Sequence, residues 1–131
     1  MVVDTSAILA VLFGEPERDA FATAISEAGV RMISSVNAFE SVVVLLARKG
    51  AAGMRELDLL LHVAAFDVVP FDDAQLRLAR DAYQRYGKGH HPAGLDLGDC
   101  CAYALSRQSG DPLLFKGNDL ARTDVMPALA G

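Results

Sequence analysis

Short apolar segments alternate along the chain with longer segments in which apolar residues recur at helical spacing. A short apolar run bounded by turn residues is typical of a buried strand, whereas helical spacing predicts an amphipathic helix. Strands that alternate with helices in this way indicate an α/β fold with a parallel sheet. The predicted strands are Met1–Asp4, Arg31–Ser34, Phe66–Phe71 and Leu113–Phe115, with Val125–Met126 as a short edge strand.

The predicted helices begin at capping residues, and several of them end at glycine. Thr5 or Ser6 is expected to cap the first helix, Ser35 the third and Asp96 the last, and Gly50 closes the third. The predicted helices are Thr5–Phe13, Pro16–Ala28, Ser35–Lys49, Ala52–Ala65, Asp72–Tyr86 and a last one that ends near Arg107. On two of them, helical spacing predicts a shared apolar face, formed by Ala38, Val42, Leu45 and Leu46 on one and by Leu76, Ala79 and Tyr83 on the other.

The composition narrows the class of protein. The chain carries 17 acidic and 12 basic residues, for a net charge of −5, which argues against a nucleic-acid-binding protein with a strongly basic face. A nuclease is not excluded, because bound divalent cations would offset that charge. The hydrophobic content of 52% indicates either apolar surface kept for a partner or simply many short alanine side chains. Because no repeat or linker interrupts the pattern, residues 1–131 are expected to form one domain.

Membrane insertion and cysteine chemistry are both disfavoured. No apolar run approaches the roughly 18 residues of a membrane helix, and the start of the chain lacks the basic residues of a signal peptide. The protein is therefore expected in the cytoplasm, away from membranes. Cys100 and Cys101 are adjacent, so they cannot close a loop through a disulfide, and their spacing is not that of a zinc site.

Four acidic residues interrupt or follow the apolar segments, namely Asp4, Glu40, Asp99 and Asp119. A carboxylate at the edge of a core is costly unless something pairs with it. Asp4 ends one predicted strand and Asp119 follows another, and ligands of parallel sheets bind beyond the carboxyl ends of the strands. Four such positions suggest a site for divalent cations and, with them, a phosphodiester substrate.

Each of these acids also has a structural interpretation. Asp4 could cap the first helix, and Asp119 could be a turn residue. Glu40 could face solvent. Asp99 resembles the second member of a capping box that Asp96 begins, and the helix dipole is expected to lower the pKa of Asp99 and keep it ionised for a metal.

Small polar residues accompany the acids. Thr5, Ser6 and Asn118 could orient carboxylates or bound water. His90 and His91 lie in a glycine-rich loop and no further ligand completes a zinc set, so they are interpreted as solvated, with a phosphate contact as the alternative. No Walker or dinucleotide-binding loop is present, which argues against a nucleotide cofactor.

Three parts of the chain resemble the VapC-type toxins of the PIN-domain ribonucleases. They are Met1–Leu9, Ile33–Glu40, and Leu97–Leu105 together with Leu113–Asp119. The resemblance covers essentially the whole chain. It implies a three-layer α/β/α sandwich with a central, mostly parallel sheet, and an endoribonuclease that depends on Mg²⁺, with Mn²⁺ as a substitute. It also implies an RNA substrate such as tRNA or rRNA, a VapB-like antitoxin and a homodimer.

The acidic positions of that family carry over to Asp4, Glu40, Asp99 and Asp119. Asp96 departs from it, since many relatives resemble Asn there, and it is interpreted as a cap or supporting group. Our hypothesis is that Asp4 and Asp99 hold the principal metal, with Glu40 and Asp119 acting through water or on a second ion.

Two other functions fit an acidic pocket of this kind. A phosphoryl-accepting receiver domain would need a lysine in the pocket, and Lys116 after the last core strand could supply it. A PIN domain without catalytic activity could serve as a scaffold, although it would not need all four carboxylates. For the ribonuclease, Lys88, Arg85 and Lys116 are the candidates for guiding RNA.

Overall fold

The computed structural model describes residues 1–129 and contains a four-stranded parallel sheet. The strands are β1 (Val2–Val3), β2 (Met32–Ser34), β3 (Asp67–Val69) and β4 (Leu113–Leu114), in the order β3-β2-β1-β4. Val2 pairs with both Met32 and Leu113, so β1 lies between β2 and β4. The predicted parallel sheet is confirmed, and the carboxyl ends of all four strands lie at one edge.

The helices cover both faces of this sheet. They are α1 (Thr5–Leu12), α2 (Arg18–Glu27), α3 (Ser35–Val63), α4 (Asp73–Tyr86) and α5 (Leu97–Ser109), followed by a short 3₁₀ helix (Leu120–Arg122). Val2 and Leu113 pack in a core with α4 and α5. Their neighbours Val3 and Leu114 pack in a second core with α1, α2 and α3, because successive strand residues point to opposite faces. The expected three-layer α/β/α sandwich is confirmed.

Two predicted caps lie one position from the true ones. Asp4, and not Thr5 or Ser6, caps α1, and its side chain accepts a hydrogen bond from the Ser6 backbone N–H. Ser34, and not Ser35, caps α3 by accepting from the backbone of Val36. Because α3 follows β2 directly, Ser34 and Ser35 could each cap the helix, and the sequence pattern alone does not distinguish them. The cap predicted at Asp96 is confirmed.

α3 contains the two helices predicted on either side of Gly50. Gly50 has φ 62° and ψ −150°, a conformation that is essentially reserved for glycine. Shortly after the bend, a Cβ atom on Gly53 would lie 2.8 Å from the Leu45 carbonyl oxygen. The two parts of α3 can therefore approach each other closely.

Several finer predictions are wrong. Leu46, Leu76 and Tyr83 are exposed, whereas the other members of their predicted apolar faces are buried or partly buried. The residues Val125–Met126 do not form a strand, and only an isolated bridge between Leu113 and Pro127 extends the sheet there. Within the described part of the chain, no helix is both long enough and apolar enough to cross a membrane.

Candidate functional site

Asp4 lies at the carboxyl end of β1 and is only 3% exposed. Its Oδ2 accepts two hydrogen bonds, from the Ser6 backbone N–H at 3.0 Å and from the Ser6 hydroxyl at 2.6 Å. The same hydroxyl accepts from the Lys116 backbone N–H at 2.9 Å. Ser6 therefore joins Asp4 to the segment that follows β4, while Oδ1 of Asp4 receives no hydrogen bond from residues 1–129.

The charge of Asp4 is only partly compensated. Burial raises the pKa of Asp4 to about 6, the hydrogen bonds from Ser6 act against this rise, and the negative charges of Glu40 and Asp96 add to it. The pKa shift shows that these acidic groups are electrostatic neighbours of Asp4. Asp4 is thus a cap and a member of an acidic cluster at once.

Glu40 belongs to this cluster through Thr5 and Asn37. The Thr5 hydroxyl donates a short hydrogen bond to Oε1 of Glu40. The Asn37 side-chain amide donates to the Thr5 hydroxyl at 3.1 Å and to the Gly98 carbonyl at 3.1 Å. Because Thr5 begins α1, Asn37 lies in α3 and Gly98 lies in α5, this network joins three helices at the sheet edge.

Gly98 lets the Glu40 carboxylate approach α5 closely. A Cβ atom at residue 98 would lie 2.5 and 2.6 Å from the two Glu40 carboxylate oxygens, well inside van der Waals contact. Glycine at this position therefore creates the space that the carboxylate occupies, directly before Asp99 in the sequence. Glu40 is half-buried and does not simply face solvent.

Asp99 and Asp96 form the predicted capping box at the start of α5. The Asp99 backbone donates to Oδ1 of Asp96 at 2.9 Å, and the Asp96 backbone donates to Oδ2 of Asp99 at 3.1 Å. The expectation of a lowered Asp99 pKa is wrong. Burial raises it, the hydrogen bond from the Asp96 backbone opposes the rise, and the charges of Asp4 and Asp96 add to it.

Asp119 lies apart from this network. It is exposed, it precedes the 3₁₀ helix and its side chain makes no capping hydrogen bond there. The neighbouring Asn118 is exposed as well. Among residues 1–129, no three His, Cys, Asp or Glu side chains lie close enough together to enclose a metal ion by themselves. Hydrogen bonds and electrostatic contacts connect Asp4, Glu40 and Asp99, with Asp96 beside them. Within residues 1–129, no hydrogen bond connects the Asp119 side chain to them.

Within residues 1–129, no side-chain cation forms an ion pair with the acidic cluster. Of the ion pairs in the described chain, none involves Asp4, Glu40, Asp96 or Asp99. They are those of Met1, Lys49, Arg85, Arg107 and Lys116. Three or four neighbouring carboxylates without a positive partner are a favourable environment for a divalent cation.

Two of the three candidate RNA-guiding residues have other partners. Lys116 pairs with Glu15 and Glu17, both at 3.2 Å, and so faces the α1–α2 connection. Arg85 contacts Asp81 at 3.2 Å and Asp124 at 3.3 Å. Lys88 is exposed and forms no ion pair with residues 1–129, so a role in guiding RNA stays a prediction for it.

The two loop histidines differ from each other. His90 is exposed and lies edge-on to Tyr83, with 5.6 Å between ring centroids. His91 is half-buried, accepts a hydrogen bond from the Ala93 backbone on Nδ1 and lies edge-on to Tyr86. His91 is therefore only partly solvated, and its ring contacts the backbone of its own loop. Cys100 and Cys101 are both buried free thiols.

The sequence was compared with those of known proteins. The sequence matches the PIN domain family over residues 1–126. It is 48% identical over 125 residues to the VapC ribonuclease Mb0640 of Mycobacterium bovis, which covers 95% of both chains. It is also 48% identical to ribonuclease VapC of Mycolicibacterium smegmatis, over 95% of this chain and 97% of the relative. The chain belongs to the VapC ribonucleases of the PIN domain family. The resemblance inferred from the sequence is confirmed.

The fold of this PIN domain agrees with a solved structure of much lower sequence similarity. The crystal structure of Mycobacterium tuberculosis VapC20, described as a sarcin-ricin loop cleaving toxin, matches with a TM-score of 0.78 at 16% identity over 95% of each chain. At this identity the match supports the α/β/α architecture and nothing about the substrate of the present chain.

Two residues in the network around the acidic cluster, Asn37 and Gly98, were not predicted from the sequence. Asn37 is an amide among the apolar residues Val36, Ala38 and Phe39, and that contrast was a usable signal. Gly98 interrupts the first turn of α5, where glycine is unfavourable without a specific reason. The reason is a contact with Glu40, 58 residues earlier, which a local pattern cannot reveal.

Proposed function

We propose that this VapC-type ribonuclease is the toxin of a toxin–antitoxin pair and cleaves structured RNA, such as tRNA or rRNA, with a divalent cation. The observation that carries the proposal is the gathering of Asp4, Glu40 and Asp99 at the sheet edge, where none of them forms an ion pair with a cation of residues 1–129. We further propose that it acts in the cytoplasm, where those RNAs are found.

The donor set suits Mg²⁺, with Mn²⁺ as a substitute. All donors are oxygens, and Mg²⁺ usually keeps several waters while it binds one or two carboxylates directly. Asp4 and Asp99 each use Oδ2 for a local hydrogen bond, which leaves Oδ1 of each for a cation. In this proposal Glu40 and Asp119 act through water or on a second ion, which agrees with the lack of a closed three-residue cluster in residues 1–129.

The residues of the chain would divide the work as follows. Asp4 and Asp99 bind the cation in their ionised forms, Ser6 holds Asp4, and Thr5 orients the Glu40 carboxylate. Asn118 and Asp119 lie exposed beyond β4, where they could contact water or the RNA backbone. The bound cation supplies positive charge that acidifies a water, polarises the phosphoryl oxygens and stabilises the leaving 3′-oxygen. Cleavage of this kind leaves a 5′-phosphate and does not need the 2′-hydroxyl.

Two partners belong to the proposal. One is a VapB-like antitoxin, whose basic or apolar side chains could enter the acidic site. The other is a second copy of the chain. Phe39, Val43 and Leu46 are spaced to share one side of α3, and each is at least half exposed. An apolar stripe of this kind is a suitable contact surface. Light scattering on the purified protein tests the homodimer.

The central experiment maps RNA ends after expression of the chain. Asp99→Asn is the matched variant, because an asparagine can still take part in the capping box with Asp96. We expect new 5′-phosphate ends with the wild type, which disappear with Asp99→Asn, and purified protein that loses cleavage in EDTA and regains it with Mg²⁺ or Mn²⁺. Cleavage by Asp4→Asn or Asp99→Asn at the wild-type rate would refute the assignment.

The receiver-domain alternative loses its main support. Lys116 pairs with Glu15 and Glu17 and not with the acidic cluster. The family match also favours the ribonuclease. A stable phosphoryl adduct on an aspartate, detected by intact mass after incubation with a phosphoryl donor, would reverse this preference.

A further inference from the structure

Asn37 is fully buried and holds together three parts of the acidic site. Its amide nitrogen contacts both the Thr5 hydroxyl and the Gly98 carbonyl oxygen, each at 3.1 Å. The Gly98 carbonyl can only accept a hydrogen bond, so the group that faces it must be the NH₂ of Asn37. The orientation of the Asn37 amide is thereby fixed.

This orientation also fixes the direction of the next hydrogen bond. The Thr5 hydroxyl has one proton and accepts from Asn37, so it must donate that proton elsewhere. Two acceptors are within reach of the Thr5 hydroxyl. They are the Glu40 carboxylate and, at 3.3 Å, the backbone carbonyl oxygen of Asn37. This backbone carbonyl already accepts a hydrogen bond from the Ser41 hydroxyl at 2.8 Å, and an ionised carboxylate is the stronger acceptor. The chain of donation therefore runs from Asn37 through Thr5 to Glu40.

Asn37 does not hold this position for stability alone. Its side-chain Oδ1 is buried without a hydrogen-bond partner in the described chain, and an unpaired buried polar atom destabilises a fold. An apolar side chain of similar size would avoid that cost. The unpaired oxygen does not by itself mark a functional residue, since Gln75 has one as well. What distinguishes Asn37 is its connection to Glu40 through Thr5.

We propose that Asn37 is a positioning residue for the metal site. It acts through the Thr5 hydroxyl to hold the Glu40 carboxylate over Gly98, so that Glu40 faces the region of Asp4 and Asp99. Asn37 touches neither cation nor RNA. The inference rests on the proposed metal-dependent function and adds to it a residue outside the set of acids.

The test measures Mn²⁺ binding by calorimetry without RNA, together with RNA cleavage and thermal melting. Asn37→Leu removes the amide at similar volume. Thr5→Val removes only the hydroxyl, and Thr5→Ser restores it. Loss of a group that orients metal ligands typically weakens metal binding roughly 10–100-fold. We expect a loss in that range for Asn37→Leu and Thr5→Val, and near-normal binding for Thr5→Ser. The double variant should lose no more than either single variant, because both break one chain of hydrogen bonds.

Gln75 supplies a matched control. It is a second fully buried amide with an unpaired side-chain oxygen. Its NH₂ contacts Pro70 and Gln108, away from the acidic cluster. Gln75→Leu removes an equivalent buried network, so any change in its melting temperature should occur without a change in Mn²⁺ binding.

The outcomes separate the inference from the function on which it rests. A wild type that neither binds Mn²⁺ nor cleaves RNA would refute the proposed function. A functional wild type with unchanged Mn²⁺ affinity in Asn37→Leu would refute only the role of Asn37. If Asn37→Leu does not fold, the comparison of Thr5→Val with Thr5→Ser tests the inference, because the two variants differ in the hydroxyl that donates to Glu40. Equal Mn²⁺ binding by those two variants would overturn the proposal.

Discussion

Single carboxylates in this protein cap helices and also belong to the candidate metal site. Asp4 caps α1 and Asp99 completes the capping box of α5, and each does so through Oδ2. From the sequence, a cap and a cation ligand were alternatives for both residues. The structure shows that they are compatible, because a carboxylate has two oxygens and the local hydrogen bonds occupy one of them.

At the residue scale, Asp4 should destabilise the metal-free protein at neutral pH. Its pKa is about 6 in the folded state against 3.8 for the ordinary carboxyl group. The folded chain therefore binds the proton more tightly, and stability falls as pH rises from 3.8 to about 6. A shift of this size corresponds to about 3 kcal/mol. In EDTA at pH 7.5, Asp4→Asn should be more stable than the wild type by up to this amount in chemical unfolding, with the gain fading towards pH 4.

Two further measurements sharpen this test. Mg²⁺ should stabilise the wild type and leave Asp4→Asn nearly unchanged, because a ligand that binds only the folded state raises its stability. An asparagine variant that is less stable than the wild type at pH 7.5 in EDTA would show that burial does not dominate the energetics of Asp4.

The sequence was informative about residue types and less so about contacts. Four acids could be singled out because each interrupts an apolar pattern, and the structure gathers Asp4, Glu40 and Asp99. Asn37 and Gly98 could not be connected from the sequence, since they lie 61 positions apart and meet only after α3 and α5 pack at the sheet edge. Contacts of this kind depend on tertiary structure.

At the scale of elements, the existence of each helix and strand was easier to predict than the face it buries. Helical spacing placed Leu46 and Leu76 on shared apolar faces, yet both are at least half exposed. α4 buries Gln75, Ala79 and Ala82 instead. Small residues fit the close contact between α4 and α5, and hydrophobicity alone does not measure this fit.

The bend in α3 gives a prediction at this scale. Gly50→Ala should destabilise the protein by about 1–3 kcal/mol, because that is the strain energy of alanine in a backbone conformation otherwise found almost only for glycine. The mid-point of urea unfolding measures the change. Gly29→Ala is the control, since Gly29 does not have a positive φ and an added Cβ meets nothing within 4 Å. Equal mid-points for the two variants would show that the bend relaxes without cost.

At the scale of the whole molecule, one acidic residue joins the end of the chain to α4 and α5. Asp124 accepts a hydrogen bond from the Tyr103 hydroxyl at 2.6 Å and pairs with Arg85 at 3.3 Å and Arg107 at 3.4 Å. From the sequence, Arg85 was one of three candidates for guiding RNA, because it is basic and close to a loop. The pairing with Asp124, 39 positions later, gives Arg85 a tertiary contact that its position near a loop does not reveal.

Asp124 should have the opposite pH dependence to Asp4. The hydrogen bond from Tyr103 is the main cause of its lowered pKa, with Arg85 and Arg107 acting in the same direction. Asp124 therefore stabilises the fold above the ordinary carboxyl pKa of 3.8, and this contribution is lost as pH falls through the lowered folded value. Thermal melts should give Asp124→Asn a lower melting temperature than the wild type at pH 7, with the difference shrinking as pH falls below 3.8. Asp58→Asn, at an exposed position in α3 without an ion pair in residues 1–129, should match the wild type throughout. A deficit of Asp124→Asn that persisted in acid would assign its effect to packing and not to charge.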